Sequence, residues 1–250
     1  MEDFLKSPTE RIDDLLCRGL KIIQDEKSYR FAIDAVLLSN FVKAGPKDRV
    51  IDLGTGSGVI PLLLSAKTGA REIVGVEIVE EAAERACRSV AMNGLEDRIK
   101  IVCGDLKEAP RIFGKESFSV AVSNPPYMRL GEGKISPRRE TALARHEVAA
   151  TLSDVIKAAG ELLCFGGRFY MVYRTVRLVD CVYELRNHAL EPKLLRPIQP
   201  GRDREFNLFL VMARKGGRPG IKVLPPLVIY NDDGSYTKEI CDIYFAEAQS

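Results

Sequence analysis

Arg49-Val50-Ile51-Asp52-Leu53-Gly54-Thr55-Gly56-Ser57-Gly58-Val59-Ile60 decides how this chain folds. Its opening run, rich in β-branched residues, reads as a buried parallel strand. Val59 to Ala66 is apolar except for Ser65 and reads as a helix, with Pro61 tolerable because it falls in the first turn. Between them, three glycines in five residues form a turn without side chains. Such a turn lets backbone N–H groups approach a ligand closely.

The spacing of those glycines narrows the ligand. A dinucleotide fingerprint needs G-x-G-x-x-G, its third glycine serving helix–strand packing. Here the glycines stand at 54, 56 and 58, and position 59 is Val. An acid, Asp52, comes two residues before the first glycine. A carboxylate there repels a diphosphate and suits a cation. The segment resembles the D-x-G-x-G-x-G loop of S-adenosylmethionine-dependent methyltransferases, whose cofactor carries an ammonium and a sulfonium and no pyrophosphate.

Beyond this turn, strands and helices alternate. Arg71 to Glu77 reads as a strand, Glu80 to Asn93 as a helix stopped by Asn93-Gly94, Ile99 to Cys103 as a strand, and Val120 to Ser123 as a fourth. That alternation implies an α/β fold with a parallel sheet, ligands lying at the carboxyl ends of its strands. Glu77, about 20 residues past the glycines, is placed to accept ribose hydroxyls, and Asp105 to meet an adenine amino group. Both acids also stand where they would cap the next helix. Later come helices over 147–163 and 176–188, strands near 194–198 and 206–213, and a strand over 168–173 that Gly166-Gly167 should separate from the helix before it. Ahead of the turn, apolar alternation at 20–23 suggests a hairpin closed by Tyr29-Arg30-Phe31, and 33–42 has helical spacing. Residues 1–48 then form a cap over the cofactor site, 49–215 the core, and 216–250 a C-terminal tail.

At 250 residues with 29% charged residues, the chain is globular in composition. Its longest apolar run is too short to cross a bilayer. The acidic start, Met1-Glu2-Asp3, lacks the regions of a signal peptide. Six scattered cysteines without a C-x-x-C pair, and two histidines, argue against a metal centre or disulfide framework and for a reducing cytoplasm. Net charge is only +2, but residues 168–222 hold 12 Lys/Arg and 5 Asp/Glu. That local excess points to a polyanion. Arg202 lies within it, and Arg129, Arg138, Arg139 and Arg145 lie in a basic loop further upstream; these five are the candidate RNA contacts.

Asn124-Pro125-Pro126-Tyr127 directly follows the fourth strand, where an active-site loop of this fold belongs. An amine conjugated to a base or carbonyl is a poor nucleophile because its lone pair is delocalised. The Asn124 side-chain oxygen and the Pro125 carbonyl can accept its two hydrogens, draw the nitrogen towards tetrahedral geometry and aim the lone pair. Pro125 and Pro126 stiffen the loop without competing N–H groups. Tyr127 offers a ring on which an unstacked base can lie.

These residues resemble the amino-group methyltransferases, which act on adenine N6, cytosine N4 or a protein glutamine. Together with Tyr29-Arg30-Phe31-Ala32-Ile33-Asp34-Ala35-Val36-Leu37-Leu38 and Ala144-Arg145-His146-Glu147, they resemble the bacterial tRNA1(Val) adenine-N6 methyltransferases over nearly the whole chain. That resemblance implies a Rossmann-like class I fold: a mostly parallel seven-stranded sheet with an antiparallel last strand and helices on both faces. It also implies S-adenosyl-L-methionine as cofactor, no metal, and tRNA or another structured RNA as partner. Two rivals remain. Release-factor glutamine methyltransferases share the tetrad but carry a helical domain ahead of the cofactor loop, and the 51 residues before Asp52 do not read as a bundle. A non-catalytic RNA-binding factor on the same scaffold would not need Asp52, Glu77 and Asn124 intact.

Overall fold

The computed structural model describes residues 4–26, 33–125 and 150–245. Strand β3 (Arg49–Leu53) lies inside a nine-stranded sheet. Val50 and Ile51 are both fully buried, yet on opposite faces, because successive side chains of a strand alternate. A strand covered on both sides reads as a near-continuous apolar run, which is why Val50, Ile51 and Leu53 show no alternation; buried Asp52 is the exception.

After β3 come α2 (Val59–Lys67), β4 (Glu72–Glu77), α3 (Glu80–Met92) and β5 (Ile99–Cys103). Next are a short α4 (Ala109–Phe113), β6 (Phe118–Ser123), α5 (Leu152–Leu162) and β7 (Leu163–Arg174). The second half continues with α6 (Leu178–Asn187), β8 (Leu190–Gln199) and β9 (Leu208–Lys215). The order across the sheet is β5-β4-β3-β6-β7-β9-β8. All neighbours run parallel except β9, which is antiparallel to both β7 and β8. This is the expected seven-stranded arrangement. Two-residue strands β10 (Lys222–Val223) and β11 (Leu227–Val228) add to it, each pairing in parallel with β8. Helix α1 (Ile33–Phe41) and α2 pack on one face with α7 (Lys238–Phe245), while α5 and α6 cover the other.

Three local features differ from, or add to, the reading of the sequence. The hairpin pairs β2 (Lys21–Asp25) with β1 (Glu10–Asp14); Tyr29-Arg30-Phe31, expected to close it, lies outside the described residues. Its charged strand β1 shows no apolar alternation because Glu10 turns towards arginines of α3. Second, Gly166-Gly167 does not precede the strand after α5. That strand starts at Leu163, pairs with Phe118 there, and passes through the glycines with an irregularity in register. Gly166, at φ 78°, supplies the kink. Third, residues 106–113 form a 3-10 turn and α4, where no element was expected.

The hairpin is clamped to α3. Asn93 accepts from Lys21 N at 3.0 Å and donates to its carbonyl at 2.7 Å, and Ser89 Oγ accepts from Ile23 N at 3.0 Å. These side chains pair an edge that would otherwise be open. Arg88 Nη2 meets Glu10 at 2.7 Å and Arg85 Nε meets it at 3.3 Å, with Glu10 only 5% exposed.

Candidate active site

The sheet order reverses between β3 and β6, and both strands end at the same edge. A crevice at that point is where open α/β sheets bind ligands. Gly54, Gly56 and Gly58 follow β3 with φ of 80°, 57° and 84°. These left-handed values cost a residue with a Cβ about 1–2 kcal/mol each. A Cβ at Gly54 or Gly56 would meet nothing within 4 Å, whereas one at Gly58 would lie 3.0 Å from Ala86 Cβ. The first two glycines thus border open space, and the third lets α2 and α3 approach.

The loop amides do not point outward as the sequence suggested. Gly54 N and Thr55 N both donate to the Val76 carbonyl, at 2.9 and 3.0 Å, and Gly56 N donates to Glu77 Oε2 at 2.8 Å. A phosphate cradle requires outward amides. Here those three are spent inside the protein, which sets this turn apart from phosphate loops.

Glu77 ends β4 and is 1% exposed. Its other oxygen, Oε1, accepts from Val79 N at 2.9 Å. Glu77 thus ties the glycine loop to the start of α3. Asp105, two residues past β5, accepts from Lys107 N at 2.9 Å and so caps the 3-10 turn Leu106–Glu108.

Asp52 is fully buried in β3, and neither carboxylate oxygen has a hydrogen-bond partner among the described residues. Burial pushes its pKa up to about 7, and the Glu77 carboxylate adds to the rise. The Thr55 hydroxyl offsets part of it without closing a bond of good geometry. Two buried acceptors without a donor are chemically suited to taking up a proton or a cation.

Two residues that the motifs did not single out hold the site together. Ser123, fully buried at the end of β6, donates from Oγ to the Leu53 carbonyl at 2.8 Å. That bond joins the strand leading to Asn124 with the strand leading to Gly54. Gly75 lies opposite Asp52 in register, and a Cβ there would come within 2.9 Å of the Thr55 side chain and of Ile101. An isolated glycine inside a strand is the sequence signal for such a close approach; for Ser123 no comparable signal exists.

The fold therefore brings Asp52, Gly54, Gly56 and Glu77 together, with Asp105 on one side at the end of β5. Asn124, partly exposed, and buried Pro125 follow β6 on the other side. Pro126, Tyr127, Arg129, Arg138, Arg139 and Arg145 lie outside the described residues. Arg202 is exposed on the turn after β8. Among the described residues no three His, Cys, Asp or Glu side chains cluster as metal ligands, and no helix is long and apolar enough to cross a membrane.

Comparison with known proteins agrees with this geometry. A protein of Dickeya chrysanthemi named tRNA1(Val) (adenine(37)-N6)-methyltransferase is 28% identical over 236 residues, covering 92% of each chain. One of the same name from Aeromonas salmonicida is 31% identical over 193 residues, covering 77% of this chain and 79% of that one. A crystal structure from Agrobacterium tumefaciens, described as a predicted O-methyltransferase, superposes with a TM-score of 0.70 at 22% identity. It covers 84% of this chain and 95% of that one, and it supports the fold. Residues 33–178 match the model of the methyltransferase small domain, and the chain belongs to that family.

Proposed function

We propose that this protein transfers a methyl group from S-adenosylmethionine to the exocyclic N6 amine of an adenine in tRNA, the adenosine beside the anticodon of a valine tRNA. The observation that carries the reading is the junction made by Ser123 Oγ and the Leu53 carbonyl. It sets the Asn124-Pro125 acceptors next to the glycine loop with its orphaned carboxylate. The relatives that align over most of their length carry the name of that reaction, which supports the choice of acceptor. A glutamine methyltransferase reading expects a helical bundle before the cofactor loop. The described residues there form a hairpin and one helix.

Bound S-adenosylmethionine supplies a methyl group activated on a sulfonium. Asp52, Gly54 and Gly56 would hold its cationic amino-acid end, Glu77 its ribose hydroxyls and Asp105 its adenine amino group. Asn124 Oδ1 and the Pro125 carbonyl accept hydrogens from the target amine and orient its lone pair, an interaction that strengthens as the nitrogen becomes tetrahedral. In the same reading Pro126 stiffens the clamp, Tyr127 stacks on the base, and residues 1–48 cap a core over 49–215. Holding the amine in line with the donor supplies much of the rate without a general base.

Asn124→Ala tests this. With unmodified tRNA transcripts and mass mapping of nucleosides, kcat is expected to fall by about 10²–10³. Affinity for S-adenosylmethionine, measured by calorimetry, should hold. A variant that methylates normally removes the clamp, and one that loses the cofactor assigns Asn124 to the wrong ligand.

A further inference from the structure

We infer that Tyr230 is the outer face of a stacking platform for an unpaired RNA base, at the far end of the edge that carries Asn124. The inference rests on the RNA reading above and names a surface that the reading does not use.

Tyr230, Tyr236 and Tyr244 form a ladder of near-parallel rings. Tyr230 and Tyr236 have centroids 5.3 Å apart at 16°, and Tyr236 and Tyr244 are 5.9 Å apart at 19°. Tyr230 and Tyr236 face each other across an antiparallel bridge, held by a tight turn in which Asn231 N donates to the Ser235 carbonyl at 2.8 Å. Tyr236 is the middle ring and Tyr230 the end of the ladder; both edges are open to solvent, at 40% and 41% exposure, and it is the order of the rings, with Tyr236 stacked between Tyr230 and Tyr244, that makes Tyr230 the terminal one. A buried aromatic stack is core packing. One that ends in an exposed, rigidly held ring is what an unstacked base needs, since every base has a π face and no ordering cost remains for the protein.

Position supplies the second argument. Ile229 N donates to the Gln199 carbonyl at 2.9 Å and Tyr230 N to the Pro200 carbonyl at 3.0 Å, which fixes the ladder to the carboxyl end of β8. Gln199 Nε2 also donates to the carbonyls of Arg202 and Arg204, at 2.6 Å each. Both arginines are exposed on that turn and make no ion pair within the described residues. Thr175 N, just past β7, donates to the Asn207 carbonyl at 3.1 Å and ties the same turn to the strand beside β6. A continuous edge therefore runs from Asn124 over β7, β9 and β8 to Tyr230. At about 4.8 Å per strand it spans roughly 19 Å, a length that several nucleotides would cover. Asp203, Glu205, Asp232 and Asp233 also lie along it, so the contribution of Tyr230 is ring stacking and not charge.

The test uses the full chain and an unmodified tRNA(Val) transcript, with binding followed by fluorescence anisotropy and methyl transfer by nucleoside mass mapping. Tyr230→Ala should weaken binding by about 5- to 100-fold, the range of one lost base–aromatic stack. The change should fall on KM for tRNA and not on kcat, and the slope of affinity against salt should stay as in the wild type. Tyr230→Phe should bind like the wild type, and retained S-adenosylmethionine binding shows that each variant is folded. If the wild type neither binds nor methylates tRNA, the RNA reading fails and this inference with it. If the wild type does both and Tyr230→Ala matches it, this inference alone is overturned.

Discussion

A carboxylate buried without a donor takes up a proton unless a ligand supplies positive charge. Asp52, with its pKa pushed up to about 7, is in that position. Between about pH 4 and 7 the native state keeps a proton that the unfolded chain has lost. Stability of the ligand-free protein should therefore fall as pH rises across that window and level off above it. Asp52→Asn should flatten this dependence and raise the melting temperature at pH 8. A cationic ligand prefers the ionised form, so S-adenosylmethionine affinity should drop about tenfold per pH unit below 7. Calorimetry at pH 6.5 in buffers of different ionisation enthalpy should show a proton released on binding. An affinity flat from pH 6 to 8 would take Asp52 out of the site. The acid and its glycines were legible from spacing alone. What spacing did not reveal was the inward turn of the loop amides onto Val76 and Glu77, because a partner two strands' worth of sequence away leaves no local pattern.

Glu10 supplies much of the charge pairing by which helix α3 holds the hairpin, beside the Asn93 and Ser89 hydrogen bonds. Glu10 sits between Arg85 and Arg88, and the Arg88 hydrogen bond holds its pKa down at about 2. This contribution is present above the ordinary carboxylate range and lost as pH falls through about 2. Removing Glu10 leaves two nearly buried arginines without it. Glu10→Ala should cost about 1–3 kcal/mol, the scale of lost hydrogen bonds to a charged group, because Arg85 keeps Asp25 and Arg88 keeps Glu84. Hydrogen exchange in β1 and β2 should speed up while β3, β4 and β6 stay protected. Equal loss of protection throughout would mean the hairpin and sheet unfold as one. The central strands were readable because they carry short β-branched apolar runs, such as Val50-Ile51 and Ile73-Val74, without regular alternation. Strand β1 left no signal for the converse reason: Glu10-Arg11-Ile12-Asp13-Asp14 is stabilised by charge pairing with a helix 75 residues away, which hydrophobic periodicity does not register.

The excess of positive over negative charge is concentrated in residues 168–222, which hold 12 Lys/Arg and 5 Asp/Glu, in the strands and turns beyond β6. In the proposed reading the half with the glycine loop would hold the methyl donor, and residues 168–222 would supply the field that a polyanion meets. Affinity for tRNA should accordingly fall about a hundredfold between about 50 and 200 mM salt, as expected for roughly four neutralised phosphates. A flat response would remove the electrostatic part of RNA binding. The parallel half of the sheet followed from strand–helix alternation, but the additions of β10 and β11 did not, since two-residue strands carry no pattern. The position of β9 has a consequence for how the protein is made. Among the observed pairings β8 joins the sheet only through β9, although β9 is the later of the two in the chain. As the polypeptide leaves the ribosome, β3 to β7 can assemble in order of synthesis, while β8 has to wait with nothing to pair against. The half carrying the glycine loop, Glu77 and Asn124 is thus complete before the edge bearing Arg202 and Tyr230 exists. Until Lys215 has emerged, β7 is a bare apolar edge, and translation speed through residues 175–215 sets how long the nascent chain is exposed to mispairing.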